Sequence, residues 1–175
     1  MTLRKPGQTV LSAERIQTRV QEIAAQISRD YEGKELTLVG VLKGSYIFLA
    51  DLSRALTIHA QIDFIGASSY EGSESTGRVR WTAEPASSLR GQHVLAVEDI
   101  IDTGRTLQAA LERLKAEEPA SLRVCALLSK PARREEAVKA DYVGFEIADR
   151  FLVGYGLDYD GWHRQLPYIA AMDGE

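Results

Sequence analysis

The 175-residue chain has one cysteine, Cys125, so no disulfide can form within it and its core must hold the fold in a reducing compartment. A cytoplasmic location is the expectation. Histidine is scarce: His59, His93 and His163 stand far apart, without cysteine or carboxylate partners at zinc-like intervals, and read as surface or packing residues. No apolar run approaches the ~18 residues of a spanning helix, and the opening Met1-Thr2-Leu3-Arg4-Lys5-Pro6 lacks the apolar stretch of a signal peptide. Neither charge sign dominates. With 21 basic and 25 acidic residues the net charge is −4, which argues against a coat for nucleic acid or anionic membrane, and no basic aromatic stripe is present. Two nucleotide-binding signatures are also missing, G-x-G-x-x-G and G-x-x-x-x-G-K-[ST], so an ordinary dinucleotide-binding dehydrogenase or P-loop NTPase is disfavoured.

What remains is an average globular composition, 45% hydrophobic and 26% charged, at a length suited to one domain with one core. Ile16, Val20, Ile23, Ala24 and Ile27 recur at helical spacing between Ser12, a candidate N-cap, and Tyr31. Leu36 to Leu42 is nearly continuous apolar chain, the pattern of a strand buried on both faces. It breaks at Lys43-Gly44-Ser45 and leads into a second helical period over Tyr46 to Leu56. Ile62 to Ala67 reads as a strand, 68–77 as a mobile polar loop, and Arg78 to Ala83 as a return strand. His93 to Val97 is another buried strand, followed by a turn and a helix over Thr106 to Ala116. Leu122 to Leu128 and Tyr142 to Ile147 complete the strands, with a short helix expected within Pro131 to Lys139. Strands alternating with helices predict an α/β fold with a mainly parallel central sheet flanked by helices. Ligands bind such folds beyond the carboxyl ends of the strands, so the loops at 43–45, 68–77 and 98–106 should converge.

The densest chemical signal is Glu98-Asp99-Ile100-Ile101-Asp102-Thr103-Gly104-Arg105-Thr106, where a strand ends and a helix begins. Three carboxylates in five residues repel one another unless a cation such as Mg²⁺ or a sugar diol meets them. Thr103 to Thr106 brings successive backbone N–H groups, two hydroxyls and a glycine to a helix N-terminus, a setting suited to a phosphate monoester. The residues alone leave a plainer alternative open: Asp102 or Thr103 caps the helix and Glu98-Asp99 is a solvated strand end. Cys125 in its apolar strand reads as buried and inert, and Trp81 and Trp162 as packing residues.

The run Val97 to Thr106 resembles the phosphoribosyl pyrophosphate motif of the type I phosphoribosyltransferases. Further ordered motifs narrow the resemblance to the bacterial hypoxanthine (hypoxanthine-guanine) phosphoribosyltransferases: Leu42-Lys43-Gly44, Ser69-Tyr70, Leu128 to Lys130, and Gly144 through Tyr159. The resemblance spans nearly the whole chain. It implies one domain over 1–175 in the type I phosphoribosyltransferase fold, with a small hood made from the N-terminal segment and roughly 146–175. It implies that Glu98 and Asp99 hold the ribose hydroxyls with the help of Mg²⁺, and that Asp102 is the general acid/base at the purine's imidazole-ring nitrogen. Thr103, Gly104, Arg105 and Thr106 then surround the 5′-phosphate, and Lys43, Gly44 and Arg164 contact pyrophosphate. A non-proline cis peptide is implied between Leu42 and Lys43, and Ser69 and Tyr70 belong to a lid. At the purine end Lys130 donates to the six-position oxygen, Phe151 stacks on the base, the Leu152 backbone reads its edge, and Asp158 stands near the two-position. Asp158 joins Glu98 and Asp99 as a metal ligand by the same resemblance. The segment Ala148-Asp149-Arg150 departs from the Pro-Asp-Lys often found before the stacking aromatic, and Ser68 stands where some relatives carry lysine, which bears on base preference more than on chemistry.

The expected function is transfer of the 5-phosphoribosyl group from phosphoribosyl pyrophosphate to hypoxanthine, with guanine second. The expected assembly is a homodimer or homotetramer, with no nucleic-acid or membrane partner. Two rivals are a regulator that keeps the fold while binding nucleotide or RNA, and a xanthine-guanine enzyme. The acid at Asp102 and the acidic net charge weigh against the first, and Lys130 with the segment Phe151 to Asp158 against the second.

Overall fold

The computed structural model describes residues 5–68 and 80–172. In chain order the elements are β1 (Pro6–Leu11), α1 (Ala13–Asp30), β2 (Leu36–Leu42), α2 (Tyr46–Ala55), β3 (Ala60–Ser68), β4 (Arg80–Ala83), β5 (His93–Ile101), α3 (Arg105–Lys115), β6 (Ser121–Ser129), β7 (Tyr142–Glu146), β8 (Leu152–Val153) and β9 (Ile169–Met172). Six strands form a sheet in the order β4-β3-β2-β5-β6-β7, parallel throughout except for β4, which runs antiparallel on the edge. The parallel α/β architecture follows from the apolar runs. Alternate side chains of each strand serve opposite faces. Leu38, Leu95, Val97, Cys125 and Leu127 pack with α1 and α2, while Val39, Val41, Val94 and Ala96 pack with Ala110 and Leu114 of α3. Burial on both faces is what a near-continuous hydrophobic strand requires.

Pro6–Leu11, Leu152–Val153 and Ile169–Met172 make a second, three-stranded antiparallel sheet in the order β1-β9-β8. Leu11, Leu152, Ile169 and Ala171 join the same core cluster as α1, so the small sheet is packed onto the large one. Cys125 is fully buried and its thiol pKa is pushed up by that burial, as an inert core residue should be.

Two local expectations change. The helix expected within Pro131 to Lys139 shrinks to a single 3₁₀ turn, Pro131–Arg133. Arg133-Arg134-Glu135-Glu136 has no apolar face to bury, and the Glu135 and Glu136 N–H groups donate to Thr103 O instead of a helical ladder. The α3 N-cap is Gly104, at φ +90° and with no side-chain cap bond, which removes the plainer reading of Asp102 or Thr103 as caps. Ser12 does cap α1, accepting from Arg15 N at 3.3 Å.

β5 lies between β2 and β6, so their carboxyl ends set the 43–45 turn and Lys130 on either side of residues 98–104.

Candidate active site

The turn after β2 begins with a cis peptide between Leu42 and Lys43. Lys43 is exposed, and behind it Ser45 is buried and its Oγ donates to Val41 O at 2.6 Å. Gly44 is required by contact rather than by its own dihedrals: a Cβ there would lie 1.7 Å from Asp99 Oδ2. The backbone turn and the acidic pair therefore touch. Glu98 and Asp99 are 7% and 8% exposed, and Glu98 Oε2 is buried with no hydrogen-bond partner among the described residues. Burial first, and then the neighbouring Asp99 charge, hold Glu98 well above the usual carboxylate range. Burial also raises Asp99, against the opposing pull of its hydrogen bonds with Glu98 and the backbone and of the Arg164 charge.

An unpartnered buried carboxylate oxygen beside a second carboxylate suits a hard dication, which Mg²⁺ chemistry completes with ligand oxygens rather than with a full set of side chains. Among the described residues no three His, Cys, Asp or Glu side chains gather into a protein-only metal site. Asp158 is engaged elsewhere: its Oδ1 pairs with Arg164 Nη2 at 2.6 Å and its Oδ2 accepts from Gly161 N at 2.7 Å.

Residues 98–104 with Thr106 and Leu107 line a cleft of about 250 Å³. Its floor is the start of α3, where the N–H groups of the first turn have no helical partner and the helix dipole favours an anion. Gly104 cannot carry a side chain, since a Cβ would meet Val138 Cγ2 at 2.6 Å in addition to the positive φ. Arg105 points away, paired with Glu135 at 2.6 Å on an exposed surface, so its contribution to the cleft is its backbone.

Asp102 belongs to a different arrangement. Its Oδ2 faces Lys130 Nζ at 3.4 Å and its Oδ1 accepts from Arg133 Nε at 3.1 Å. Asp149 closes the ring, with Oδ1 at 3.5 Å from Lys130 Nζ and Oδ2 at 3.6 Å from Arg133 Nη1. Only 8% of the Lys130 side chain is exposed, and a buried ammonium needs such partners, because an unpaired one costs several kcal/mol. Sequence reasoning singled out Asp102 and Lys130 but missed Arg133 and Asp149. A signal existed for both: Arg133 stands three residues after Lys130 at a proline-initiated turn, and Asp149 lies in the segment already noted as unusual.

The remaining candidate residues lie on β8 and the chain on either side of it. The Phe151 ring is 41% exposed and held edge-on to Tyr159, with centroids 5.6 Å apart, while Phe151 O accepts from Met172 N at 3.0 Å and Leu152 is buried. Gly156, at φ +101°, packs so tightly that a Cβ would lie 2.0 Å from Gly44 O. Arg164 Nη1 donates to Gly156 O at 2.6 Å, which ties the Arg164 and Asp158 pair to the Gly44 turn. Between these glycines Tyr155 reaches back to α2, its hydroxyl donating to Asp51 Oδ2 at 2.6 Å. Asp51 and Tyr155 were not foreseen, and nothing local in the sequence links them. The lid residues Ser69 and Tyr70 lie outside the described residues. The structure thus brings residues 43–44, 98–106, 130 and 151–164 to one end of the sheet. Among the described residues no helix is long and apolar enough to cross a membrane.

Comparison with known proteins agrees with this geometry. Residues 7–160 match the phosphoribosyl transferase domain family. The chain is 44% identical over 169 residues to a hypoxanthine-guanine phosphoribosyltransferase of Staphylococcus aureus, covering 96% of this chain and 94% of the relative. It is 45% identical over 167 residues to a hypoxanthine phosphoribosyltransferase of Haemophilus influenzae, covering 93% of each. A crystal structure of a hypoxanthine phosphoribosyltransferase from Staphylococcus aureus superposes with a TM-score of 0.91 at 44% identity, covering 95% of this chain and 91% of that one. The corresponding Trypanosoma cruzi enzyme superposes with a TM-score of 0.90 at 38% identity, covering 98% and 94%. With the fold and well over a third of the sequence in common over nearly the full length, this chain belongs to the phosphoribosyltransferase family, among its hypoxanthine and hypoxanthine-guanine members.

Proposed function

We propose that the chain transfers the 5-phosphoribosyl group from phosphoribosyl pyrophosphate to hypoxanthine, and to guanine, releasing pyrophosphate and forming the nucleoside monophosphate. The observation that carries this reading is the meeting of a buried acidic pair, one of whose oxygens is unpartnered among the described residues, with the Gly44 turn on one side and the Asp102 and Lys130 pair on the other. The bond from the anomeric carbon to pyrophosphate oxygen breaks, a bond from that carbon to a purine ring nitrogen forms, and the purine's proton leaves. Positive charge develops at the anomeric carbon, as in glycoside cleavage.

Glu98 and Asp99 bind the ribose diol, and Thr103 to Thr106 bind the 5′-phosphate on the α3 N-terminus. Lys43, the Gly44 N–H and Arg164 receive the pyrophosphate, with the Ser69 and Tyr70 loop as the lid that excludes water. Asp102 accepts the proton at the imidazole-ring nitrogen and returns it in the reverse reaction. Lys130 donates to the six-position oxygen, Phe151 stacks on the base, and Leu152 and Asp158 read the edge near the two-position. Mg²⁺ is the dication that fits the Glu98 and Asp99 pair; these two residues, with Asp158, would hold it, and it would supply charge neutralisation for the polyanionic substrate. The small sheet of β1, β8 and β9 acts as the hood over the purine. Tyr46, Ile62 and Phe64, large apolar side chains left exposed, offer a face for a homodimer or homotetramer. A reducing, cytoplasmic setting accords with the single buried Cys125.

The test is a turnover assay with phosphoribosyl pyrophosphate and hypoxanthine, guanine, xanthine or adenine, with and without Mg²⁺. Mg²⁺-dependent product from hypoxanthine is expected, with less from guanine and little from xanthine or adenine. No product from any base overturns the reading in favour of a nucleotide-binding regulator, and preferential use of xanthine overturns the base assignment.

A further inference from the structure

Lys130 and Asp102 each have a task in the proposed reaction that the other obstructs. Lys130 must reach the six-position oxygen of the purine, and Asp102 must accept a proton from its imidazole ring. In the substrate-free chain the two face each other at 3.4 Å. A pair of opposite charges left to itself closes up, and closing would withdraw both from the base. The long separation is maintained by their other partners. Arg133 Nε holds Asp102 Oδ1 at 3.1 Å, the shortest contact in the ring, and Asp149 draws Lys130 back from the other side at 3.5 Å. Arg133 and Asp149 also face each other at 3.6 Å, so charges alternate round a four-membered ring with no net charge.

We infer that Arg133 and Asp149 are positioning residues that keep Lys130 and Asp102 apart and aimed at the purine; the inference rests on the functional reading above and deepens it. Arg133 engages Oδ1 through a planar guanidinium that fixes the plane of the carboxylate, leaving Oδ2 turned towards the base. When Lys130 moves to the purine oxygen, Asp102 keeps a cationic partner and stays ionised for its proton. Asp149 holds the ammonium near the base edge until the base arrives. Neither residue touches the reacting atoms. Both sit at the surface, with side chains 49% and 50% exposed, so replacing them removes an electrostatic constraint and not a part of the core.

The distinguishing readout is the split between substrates. A positioning role at the purine end lowers kcat and raises the purine KM while leaving the phosphoribosyl pyrophosphate KM alone, since neither Arg133 nor Asp149 lines the cleft of residues 98–104, Thr106 and Leu107. Steady-state kinetics of the full chain with hypoxanthine should show Arg133→Ala lowering kcat about 10-fold and raising the hypoxanthine KM several-fold, with the phosphoribosyl pyrophosphate KM within 2-fold of the parent. Arg133→Lys should recover much of the loss, because charge persists while the planar grip does not. Asp149→Ala should shift the same two parameters, and the double variant should be less impaired than the product of the single effects. An unchanged kcat and hypoxanthine KM in Arg133→Ala, an equal change in both KM values, or strictly multiplicative effects in the double variant would overturn the inference while the parent remains active. Lack of turnover by the parent chain brings down the functional reading and this inference together.

Discussion

Two groups of carboxylates stand on either side of Ile100 and Ile101 and handle negative charge in opposite ways. Glu98 and Asp99 are adjacent and buried, and Glu98 Oε2 has no hydrogen-bond partner among the described residues. Asp102 and Asp149 are separated by cations, roughly half exposed, and every oxygen has an opposite charge within 3.6 Å. The first group is poor in energy terms without a ligand: burial disfavours both charges, and the Asp99 charge further disfavours that of Glu98. The second is neutral as it stands. In the proposed reaction one end of the site therefore gains by receiving a cation and a diol, while the other has to rearrange when a neutral purine enters. On that reading substrate affinity is stored at the ribose end and proton chemistry is prepared at the purine end.

The comparison is broken most sharply at Asp102. Asp102→Asn keeps the size and an oxygen for either Arg133, now on Oδ1, or Lys130, now on Oδ2, but cannot take a proton, so kcat should fall by roughly 10²–10⁴. Substrate binding should change little. Pre-steady-state and steady-state turnover with hypoxanthine check this, and wild-type turnover in that variant would remove the acid/base role.

At the ribose end the same kind of substitution should do something different. In Glu98 the folded-state pKa lies above the ordinary 4.5, burial being the main cause and the Asp99 charge the second. The unfolded chain therefore ionises first as pH rises, and the folded state loses relative stability from about that ordinary value upward through the raised one. Glu98→Gln removes that loss. In Mg²⁺-free buffer it should melt higher than the parent at neutral pH, with a difference that shrinks towards zero below pH 4, where the acid is protonated in both states. Each 1 kcal/mol recovered is worth about 2–4 °C in a chain of this size. The same variant should raise the KM for phosphoribosyl pyrophosphate about 10-fold, the order expected for losing a hydrogen bond to a charged group. A lower melting temperature at neutral pH would show that the pair is already satisfied without ligand.

How legible these two ends were in the sequence differs for a physical reason. Glu98, Asp99, Thr103 and Gly104 are contiguous, and the buried strand before them and the helical period after them place them at a strand's carboxyl end from local pattern alone. The parallel sheet was legible in the same way, because strands buried on both faces must be apolar at every position. The ring at Asp102 is assembled from residues up to 47 positions apart, on a strand end, a 3₁₀ turn and a loop, so no periodicity reports it. The short helix expected within Pro131 to Lys139 stops at the Pro131–Arg133 turn because the N–H groups of Glu135 and Glu136 go to Thr103 O, a tertiary partner that composition does not reveal. Resemblance located Lys130 and Phe151; only geometry located Arg133, Asp149 and Tyr155.

Asp51 supplies the smallest test and carries the opposite sign. Burial opposes its ionisation, but donors from Tyr155, Gln17 and Arg54 outweigh that cost and hold its pKa below the ordinary 3.8. Here the folded state gains from the charge, so the stabilisation is present above the ordinary pKa and is lost as pH falls through the lowered one. Tyr155→Phe deletes one donor, whose hydroxyl lies 2.6 Å from Asp51 Oδ2, while Gln17 still donates to the same oxygen at 2.7 Å. With the carboxylate still partnered, the loss should be about 1 kcal/mol. Melting temperature should drop by about 2–4 °C at neutral pH, and the gap should narrow below pH 4. The gap for Glu98→Gln should already have closed as pH falls from the raised value to about the ordinary 4.5, and from the other side, because there the variant is the more stable chain. The Tyr155 ring remains to fill its site, so Gly156 should keep its place against Gly44 and turnover should stay near the parent's. A gap in Tyr155→Phe that widens on acidification would mean that Asp51 is not held ionised by its donors, and the contrast between a satisfied and an unsatisfied buried carboxylate would collapse.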